Sequence, residues 1–278
     1  MRLTFKKIQS TIQVKGGEVM LCGAVSFEKL IKFMSERNIN YARNLCPGLK
    51  SLIVFIFPYY TDDKDGNLGR YARFKDYHSV LGAILGDFTE YLKEINPEYI
   101  FFQSADNSPI NEKAAAALCG LGSIGKNQLL INETYGSYVF IGCILTNMPL
   151  RSAERETDIF KCSECGECVR ACPTGALSDG GFDKSLCLSY LTQKKGGMSE
   201  AQLQILKAGK TIWGCDLCQE VCPKNRGIQK TGIKDFKENL IYSLDADILE
   251  NMPDDVFENF VFSFRGRDFL YKRLVERL

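Results

Sequence analysis

The chain has 278 residues, and its 35 Lys and Arg side chains nearly balance its 34 Asp and Glu side chains. The resulting net charge of +1 excludes a strongly basic nucleic-acid-binding chain and an acidic disordered chain on composition alone. Its 12 cysteines stand beside a single histidine, so thiolates must dominate the ligands of any metal site.

The N-terminal segment lacks the continuous apolar region of a secretory signal. The longest apolar runs are Leu52–Phe57 and Val139–Leu145, which fall far short of the ~20 residues that a membrane helix needs. We therefore expect a cytoplasmic protein with no membrane span. In that reducing compartment, dense cysteines favour metal binding or catalysis over disulfide bonds.

The first half of the chain alternates predicted strands and helices. Ser51–Pro58 is a short apolar run of β-favouring residues that predicts a buried strand. Apolar side chains at helical spacing predict an amphipathic helix over Asp76–Ile95. The remaining predictions are two strands and one helix, at Tyr99–Phe102, Ser137–Leu145 and Asn111–Cys119. Together these elements predict an α/β domain over residues 1–150 with a mixed sheet.

The second half of the chain is rich in cysteine. The polar stretch Arg151–Asp158 predicts a connector, and eight of the cysteines lie between Cys162 and Cys222. We expect a cysteine-rich domain over residues 151–226. Amphipathic spacing predicts a helical tail over residues 227–278, with helices at Asp254–Phe260 and Arg267–Leu278. The fold class expected for the whole chain is α+β.

The strongest motif is a run of four cysteines at two- and three-residue intervals, the last followed by proline: Cys162, Cys165, Cys168 and Cys172-Pro173. In two-cluster ferredoxins, three cysteines of such a run bind one cluster and the fourth binds the other. A second group supplies the remaining ligands: Cys187, Cys215, Cys218 and Cys222-Pro223. The spacing therefore predicts a ferredoxin-like domain with two 4Fe-4S clusters.

We expect the last cysteine of each group to bind the cluster of the other group, which assigns every cysteine to a cluster. The first cluster takes Cys162, Cys165, Cys168 and Cys222, and the second takes Cys172, Cys187, Cys215 and Cys218. A pair of four-cysteine zinc sites is the alternative, but zinc requires neither the triple run nor the paired Cys-Pro endings. The insert before Cys215, with a predicted helix over Glu200–Gly209, indicates an elaborated ferredoxin module.

Three features of the first half leave alternatives open. Gly120–Asn127 (GLGSIGKN) fits two phosphate-binding patterns, but it follows a predicted helix and lacks the metal-binding Ser or Thr, so a tight turn competes with a ligand site. Asp106 is either a turn former or N-cap, or a general acid at a strand end. His78, the only histidine, either helps to place a cofactor or caps a helix. Four further cysteines are expected to be small buried hydrophobes: Cys22, Cys46, Cys119 and Cys143.

With these motifs in order, the chain resembles the epoxyqueuosine reductase family, cobalamin- and iron–sulfur-dependent enzymes of tRNA queuosine maturation. The cysteine groups carry the resemblance together with RYARFKDYH, ADNSP, GLGSIGKN, GSYVFIGCILT, CLSYLT and GCDLCQEVCPKN, which span roughly residues 50–226. The resemblance implies a cobalamin-binding N-terminal domain, a two-cluster domain and reduction of the epoxide of epoxyqueuosine.

The resemblance also assigns roles to individual residues. Asp106 matches the catalytic acid, which would protonate the alkoxide formed when the epoxide opens. The segments expected to line the cobalamin cavity contribute Tyr77, His78, Gly122, Lys126 and Asn127. The implied partners are tRNA and an electron donor such as a flavodoxin or ferredoxin, and a monomer is expected.

The chain departs from the family pattern at three points. Glu112-Lys113 stands where the family often has Glu-Arg, and Cys143 stands at a position that is commonly Glu. Too few residues follow Cys222 for the C-terminal helical repeats of many members, which suggests a short form. Two other functions stay open: a cobalamin and iron–sulfur reductase of a small molecule, and an electron carrier without cobalamin.

Overall fold

The computed structural model describes residues 21–106, 108–151 and 159–276. Most of the predicted connector Arg151–Asp158, as well as the end of the predicted helix Arg267–Leu278, lies outside the described residues. Within them the chain divides into two compact units. The first contains residues 21–58, 78–106, 108–125, 129–151 and 159–162, and the second contains residues 59–77, 126–128 and 163–276.

The first unit is built on a four-stranded sheet with the order β1-β2-β6-β3. Its strands are β1 (Leu21–Ser26), β2 (Ser51–Pro58), β3 (Phe101–Ala105) and β6 (Val139–Thr146). A two-residue ladder joins β4 (Ser123–Ile124) to β5 (Leu130–Ile131). The helices are α1 (Phe27–Leu30), α2 (Glu36–Leu45), α3 (Tyr77–Ile95) and α4 (Glu112–Leu118), with a 3₁₀ turn at Ile31–Phe33.

Every pairing in the four-stranded sheet is antiparallel, so the expectation of a mixed sheet is wrong. Strands β2 and β3 run in the same direction, as their connection through α3 suggests. They do not pair with each other, because β6 lies between them and runs against both. The predicted β2 is confirmed residue for residue, and the α+β class is confirmed.

Strand β2 is buried along its whole length because a helix packs on each face of the sheet. Val54 and Ile56 belong to a core that includes the alanine run of α4. On the other face, the Phe55 ring meets the ring of Phe88 from α3 edge-on, with 5.4 Å between centroids. Burial on both faces explains the continuous apolar sequence of this strand.

The second unit combines short helices with one two-stranded ladder. The ladder pairs β7 (Leu177–Ser178) with β8 (Gly181–Phe182). The α-helices are α5 (Glu167–Arg170), α6 (Leu188–Gln193), α7 (Glu200–Ala208), α8 (Leu217–Glu220), α9 (Ala246–Asn251), α10 (Asp254–Phe257) and α11 (Arg267–Val275). The 3₁₀ turns are Arg70–Ala72, Lys184–Leu186, Pro223–Asn225, Lys234–Phe236 and Val261–Arg265. Among the described residues, no helix is both long enough and apolar enough to cross a membrane.

Gly122 allows a close approach between two backbone segments of the first unit. A Cβ atom at this position would lie 2.5 Å from the carbonyl oxygen of Ile131 and 3.0 Å from its carbonyl carbon. Backbone atoms cannot move aside as the end of a flexible side chain can. The structure therefore gives Gly122 a packing reason that is independent of any ligand.

We predict that Gly122→Ala lowers the free energy of unfolding by about 1–3 kcal/mol, because the new methyl group overpacks the backbone of Ile131. Gly82→Ala is the matched control, since a Cβ atom on this helical glycine would meet nothing within 4 Å. The control should raise the free energy of unfolding by about 0.5–1 kcal/mol. Chemical denaturation measures both, and equal effects of the two substitutions would contradict the assignment.

Candidate functional site

Asp106 lies where β3 ends, in a backbone conformation that side chains other than glycine rarely adopt. Its φ angle is +52°, in the left-handed region, where aspartate is one of the better-tolerated residues. The N-cap of α4 is Asn111, whose side chain accepts a hydrogen bond from the backbone N–H of Ala114 at 3.2 Å. Asp106 is therefore not the cap of this helix, and the turn former is what remains of the structural alternative to a general acid.

The side chain of Asp106 pairs with the only histidine of the chain. His78, in the first turn of α3, has its Nε2 atom 3.0 Å from Asp106 Oδ2. The imidazole Nε2–H donates this hydrogen bond when Asp106 is ionised, and a protonated Asp106 carboxyl group can donate it to a neutral Nε2. Both side chains are partly open to solvent, with 39% of His78 and 49% of Asp106 exposed. The contact is thus able to orient Asp106 without sealing it from a reactant.

His78 and Asp106 share a cleft within the first unit. Its volume is about 330 Å³, and its lining includes Tyr41, Leu45, Gly82, Phe102 and Gln103. This volume lies at the lower end of the range for small-molecule sites, about 300–1,000 Å³. A Cβ atom at Gly82 would meet no other atom within 4 Å, so this glycine borders open space in the wall of the cleft.

Glu112 is a functional candidate that the sequence analysis did not single out. It is the first residue of α4, and the Asp106 backbone N–H donates a hydrogen bond to its carboxyl group. Burial raises the pKa of Glu112 to about 8, and the negative charge of Asp106 adds to the rise. The helix dipole opposes this rise by about 0.3–1 kcal/mol, which is less than one pKa unit, so burial prevails.

The other residues predicted to bind a cofactor have different surroundings. Tyr77 lies in the second unit and meets the ring of Tyr71 edge-on at 6.5 Å. Lys126 and Asn127 also belong to the second unit, where Lys126 forms an ion pair with Asp179 and Asn127 is buried. Gly122 packs against Ile131 within the first unit. Their roles as cofactor ligands stay predictions, whereas the structure brings His78 and Asp106 together directly.

The cysteines of the two predicted clusters are free thiols; Cys168 and Cys218 lie within the short helices α5 and α8, and the others lie in the connecting segments. All are partly or fully accessible, and Cys165 is the most exposed. By contrast, the four cysteines expected to be hydrophobic are all buried, which confirms that expectation. No three Cys, His, Asp or Glu side chains of the described residues group closely enough to hold a single metal ion.

Thiols of the second unit influence one another electrostatically across long separations in the sequence. Burial raises the pKa of Cys168, and the neighbouring Cys222 and Cys165 raise it further. Burial raises the pKa of Cys215 to about 12, with smaller contributions from Cys187 and Cys172 among others. Cys218 is influenced both by Cys187 and by Cys168, which are assigned to different clusters. The donor set fits iron–sulfur clusters, because bound iron keeps a coordinating thiol deprotonated despite burial.

Buried hydrogen bonds attach the loop around Cys215 to a segment far away in the sequence. The backbone N–H of Arg70 donates to Asp216 Oδ2 at 2.6 Å, and the Gly69 N–H donates to the Trp213 carbonyl oxygen at 2.6 Å. Gly214 adopts a φ angle of +80°, and a Cβ atom on it would lie 2.8 Å from the Tyr71 ring. This packing fixes the backbone from which Cys215 and Cys218 project.

The chain thus combines an α+β unit, in which His78 and Asp106 line a cleft, with a cysteine-rich unit of the kind found in iron–sulfur proteins. Residues 161–225 match the sequence model of the "4Fe-4S double cluster binding domain", which confirms the predicted double-cluster segment. Residues 40–104 match the model described as "Epoxyqueuosine reductase QueG, DUF1730".

Several epoxyqueuosine reductases are similar to this chain. The one from Synechocystis sp. is 34% identical over 227 residues, which cover 77% of this chain and 76% of the relative. The one from Lactococcus garvieae is 38% identical over 172 residues, which cover 62% of this chain and 48% of the relative. The chain belongs to the epoxyqueuosine reductase family, and it spans about half the length of several such relatives.

Solved structures agree with this membership. The epoxyqueuosine reductase of Streptococcus thermophilus superposes with a TM-score of 0.76 at 26% identity, over 98% of this chain and 79% of that one. An epoxyqueuosine reductase crystallised with an epoxyqueuosine-modified tRNA stem loop gives a TM-score of 0.78 at 25% identity, with the same coverage of both chains. The predicted cofactors, two 4Fe-4S clusters and cobalamin, are consistent with this family.

We predict that Cys222→Ala reduces the iron and sulfide bound after anaerobic reconstitution by about half, because one of two clusters loses a ligand. Cys46→Ala is the matched control, since Cys46 is a fully buried cysteine of the first unit. The control should retain the full iron content. Metal analysis with electron paramagnetic resonance measures the outcome, and zinc in place of iron would contradict the cluster assignment.

Proposed function

We propose that this chain reduces the epoxide of epoxyqueuosine in tRNA to the alkene of queuosine, with cobalamin and two 4Fe-4S clusters as cofactors. Family membership supports the reaction class, and the structural neighbour bound to an epoxyqueuosine-modified stem loop supports the substrate. The observation that carries the proposal is the Asp106–His78 pair at an open cleft.

Bound cobalamin would supply a strongly nucleophilic cobalt centre, and the clusters would supply single electrons to it. The clusters would be held by Cys162, Cys165, Cys168, Cys172, Cys187, Cys215, Cys218 and Cys222. Residues proposed to hold cobalamin are Tyr77, His78, Gly122, Lys126 and Asn127. The accessible Cys165 supports electron entry from a small carrier such as a flavodoxin or ferredoxin.

The chain itself would contribute a proton donor that is held in a fixed orientation, the carboxyl group of Asp106. Conversion of an epoxide to an alkene and water consumes a pair of electrons and a pair of protons. Asp106 would hold one of these protons at its carboxyl group and donate it to the oxygen as the ring opens. The hydrogen bond with His78 at 3.0 Å restricts the Asp106 carboxyl group to one orientation. The enzyme would act as a monomer in the cytoplasm.

A second candidate is a reductase of a small molecule on the same scaffold. The cleft volume of about 330 Å³ suits a ligand of that size. The near-zero net charge also provides no general attraction for a polyanion. The two candidates differ in their expected salt dependence, because neutralised phosphates make binding of tRNA fall steeply with salt concentration.

The test is anaerobic reconstitution with iron, sulfide and cobalamin, followed by assay on tRNA that carries epoxyqueuosine. Formation of queuosine in the tRNA supports the proposal. Equal kcat/KM for the free epoxyqueuosine nucleoside, with no salt dependence on tRNA, supports the small-molecule alternative instead. A protein that leaves the absorption spectrum of added cobalamin unchanged would be an electron carrier.

We predict that Asp106→Asn lowers kcat by at least about 100-fold, because the amide has no acidic proton to donate. The spectra of the clusters and the affinity for cobalamin should not change. Asp87→Asn is the control, since Asp87 is an exposed carboxylate on α3. Single-turnover assays measure both variants, and full activity of Asp106→Asn would remove Asp106 from the mechanism.

A further inference from the structure

Glu112 presents a carboxyl group that the proposed reaction does not use. It belongs to the first unit, where α4 begins, and its neighbour across the loop is Asp106. One carboxyl oxygen, Oε1, is buried and has no hydrogen-bond partner among the described residues. The group is therefore withdrawn from water and close to the proposed acid.

The buried oxygen favours the acid form of Glu112. An ionised oxygen that loses water without gaining a donor is strongly destabilised, whereas a neutral carboxyl group tolerates the same environment much better. The side chain of Asp106 and the fully buried thiol of Cys143 are the titratable groups that interact with it. His78 reaches this cluster through its hydrogen bond to Asp106. The helix of Glu112 also carries Lys113, whose pKa is lowered by burial.

Glu112 is also tied to the backbone of Asp106. The Asp106 N–H donates to the Glu112 carboxyl group, and the Asp106 backbone has the unfavourable φ angle of +52°. A residue in this region persists only where its surroundings hold it. The hydrogen bond from the Asp106 N–H is one such restraint, and it acts on the residue that must present its carboxyl group to the cleft.

We propose that Glu112 is a positioning residue for Asp106: in its acid form it holds the Asp106 backbone N–H and places a neutral group beside the reacting carboxyl group. The inference rests on the proposed role of Asp106 as proton donor. As Asp106 releases its proton it becomes negatively charged, and a neutral neighbour stabilises that charge better than a second carboxylate does. The proton itself passes from Asp106 to the substrate oxygen, and Glu112 keeps its own.

The test compares the holoenzyme with its Glu112→Gln and Glu112→Ala variants. Glutamine retains an accepting oxygen and cannot ionise, so it imitates the acid form, whereas alanine removes the hydrogen bond. Because Glu112 titrates near pH 8, the ratio of wild-type to Glu112→Gln kcat/KM should fall by about tenfold between pH 7 and pH 9. Glu112→Ala should lose activity at every pH. Glu133→Gln, an exposed carboxylate of the same unit, is the control and should follow the wild type.

Two measurements separate this inference from the proposed reaction, because neither requires turnover. At pH 7 the infrared absorption of protonated carboxyl groups should be weaker in Glu112→Gln than in the wild type by the contribution of one group. The stability of the wild type relative to Glu112→Gln should fall as the pH rises from about 4.5, the ordinary pKa of a glutamate, to about 8, and then level off. The direction follows because the folded state binds the proton more tightly.

The outcomes are decisive in both directions. A pH-independent activity ratio, or the same infrared spectrum in wild type and Glu112→Gln, overturns the inference even if the enzyme is fully active on tRNA. The loss of one protonated-carboxyl contribution in Glu112→Gln, with the expected stability change, supports the acid form of Glu112 even if the substrate proves to be a small molecule. Activity that is retained in Glu112→Gln but lost in Glu112→Ala supports the positioning role.

Discussion

The hydrogen bond from the Arg70 backbone N–H to the buried side chain of Asp216 attaches the loop that carries Cys215 and Cys218 to residues 59–77. Asp216 lies between Cys215 and Cys218 in the sequence, and it also accepts a hydrogen bond from Gln219 Nε2 at 2.8 Å. A carboxylate buried to 5% exposure is strongly destabilised unless such donors are present. These donors therefore partly compensate for the burial of Asp216, and one of them comes from residues 59–77.

The first unit contains a group of neighbouring titratable side chains with different exposure to solvent. Asp106, His78 and Glu112 bring three titratable side chains together beside one strand end. Their environments differ: Asp106 and His78 are open to solvent, whereas Glu112 is largely buried. Burial keeps the inner carboxyl group protonated near neutral pH, and solvent access leaves the outer one free to meet a reactant. Such divergence between neighbouring acids is a common property of sites that move protons.

The chain contains two groups of side chains with different chemistry, the cysteine thiolates and the carboxyl groups at the cleft. Seven of the eight predicted cluster cysteines belong to the second unit and Cys162 belongs to the first; thiolates suit iron–sulfur clusters, and carboxyl groups suit protons. The proposed epoxide reduction needs both electrons and protons, so under this proposal each group of side chains supplies what the other lacks.

The sequence alone determined the features that depend on local spacing. Cysteine intervals predicted the double-cluster segment, and continuous apolar residues predicted β2, because ligand loops and strands are specified by neighbouring residues. Only the tertiary structure decided that β6 lies between β2 and β3, that residues 59–77 join the second unit, and that Glu112 lies beside Asp106. These features depend on burial and on contacts between distant residues, which periodicity along the chain does not encode.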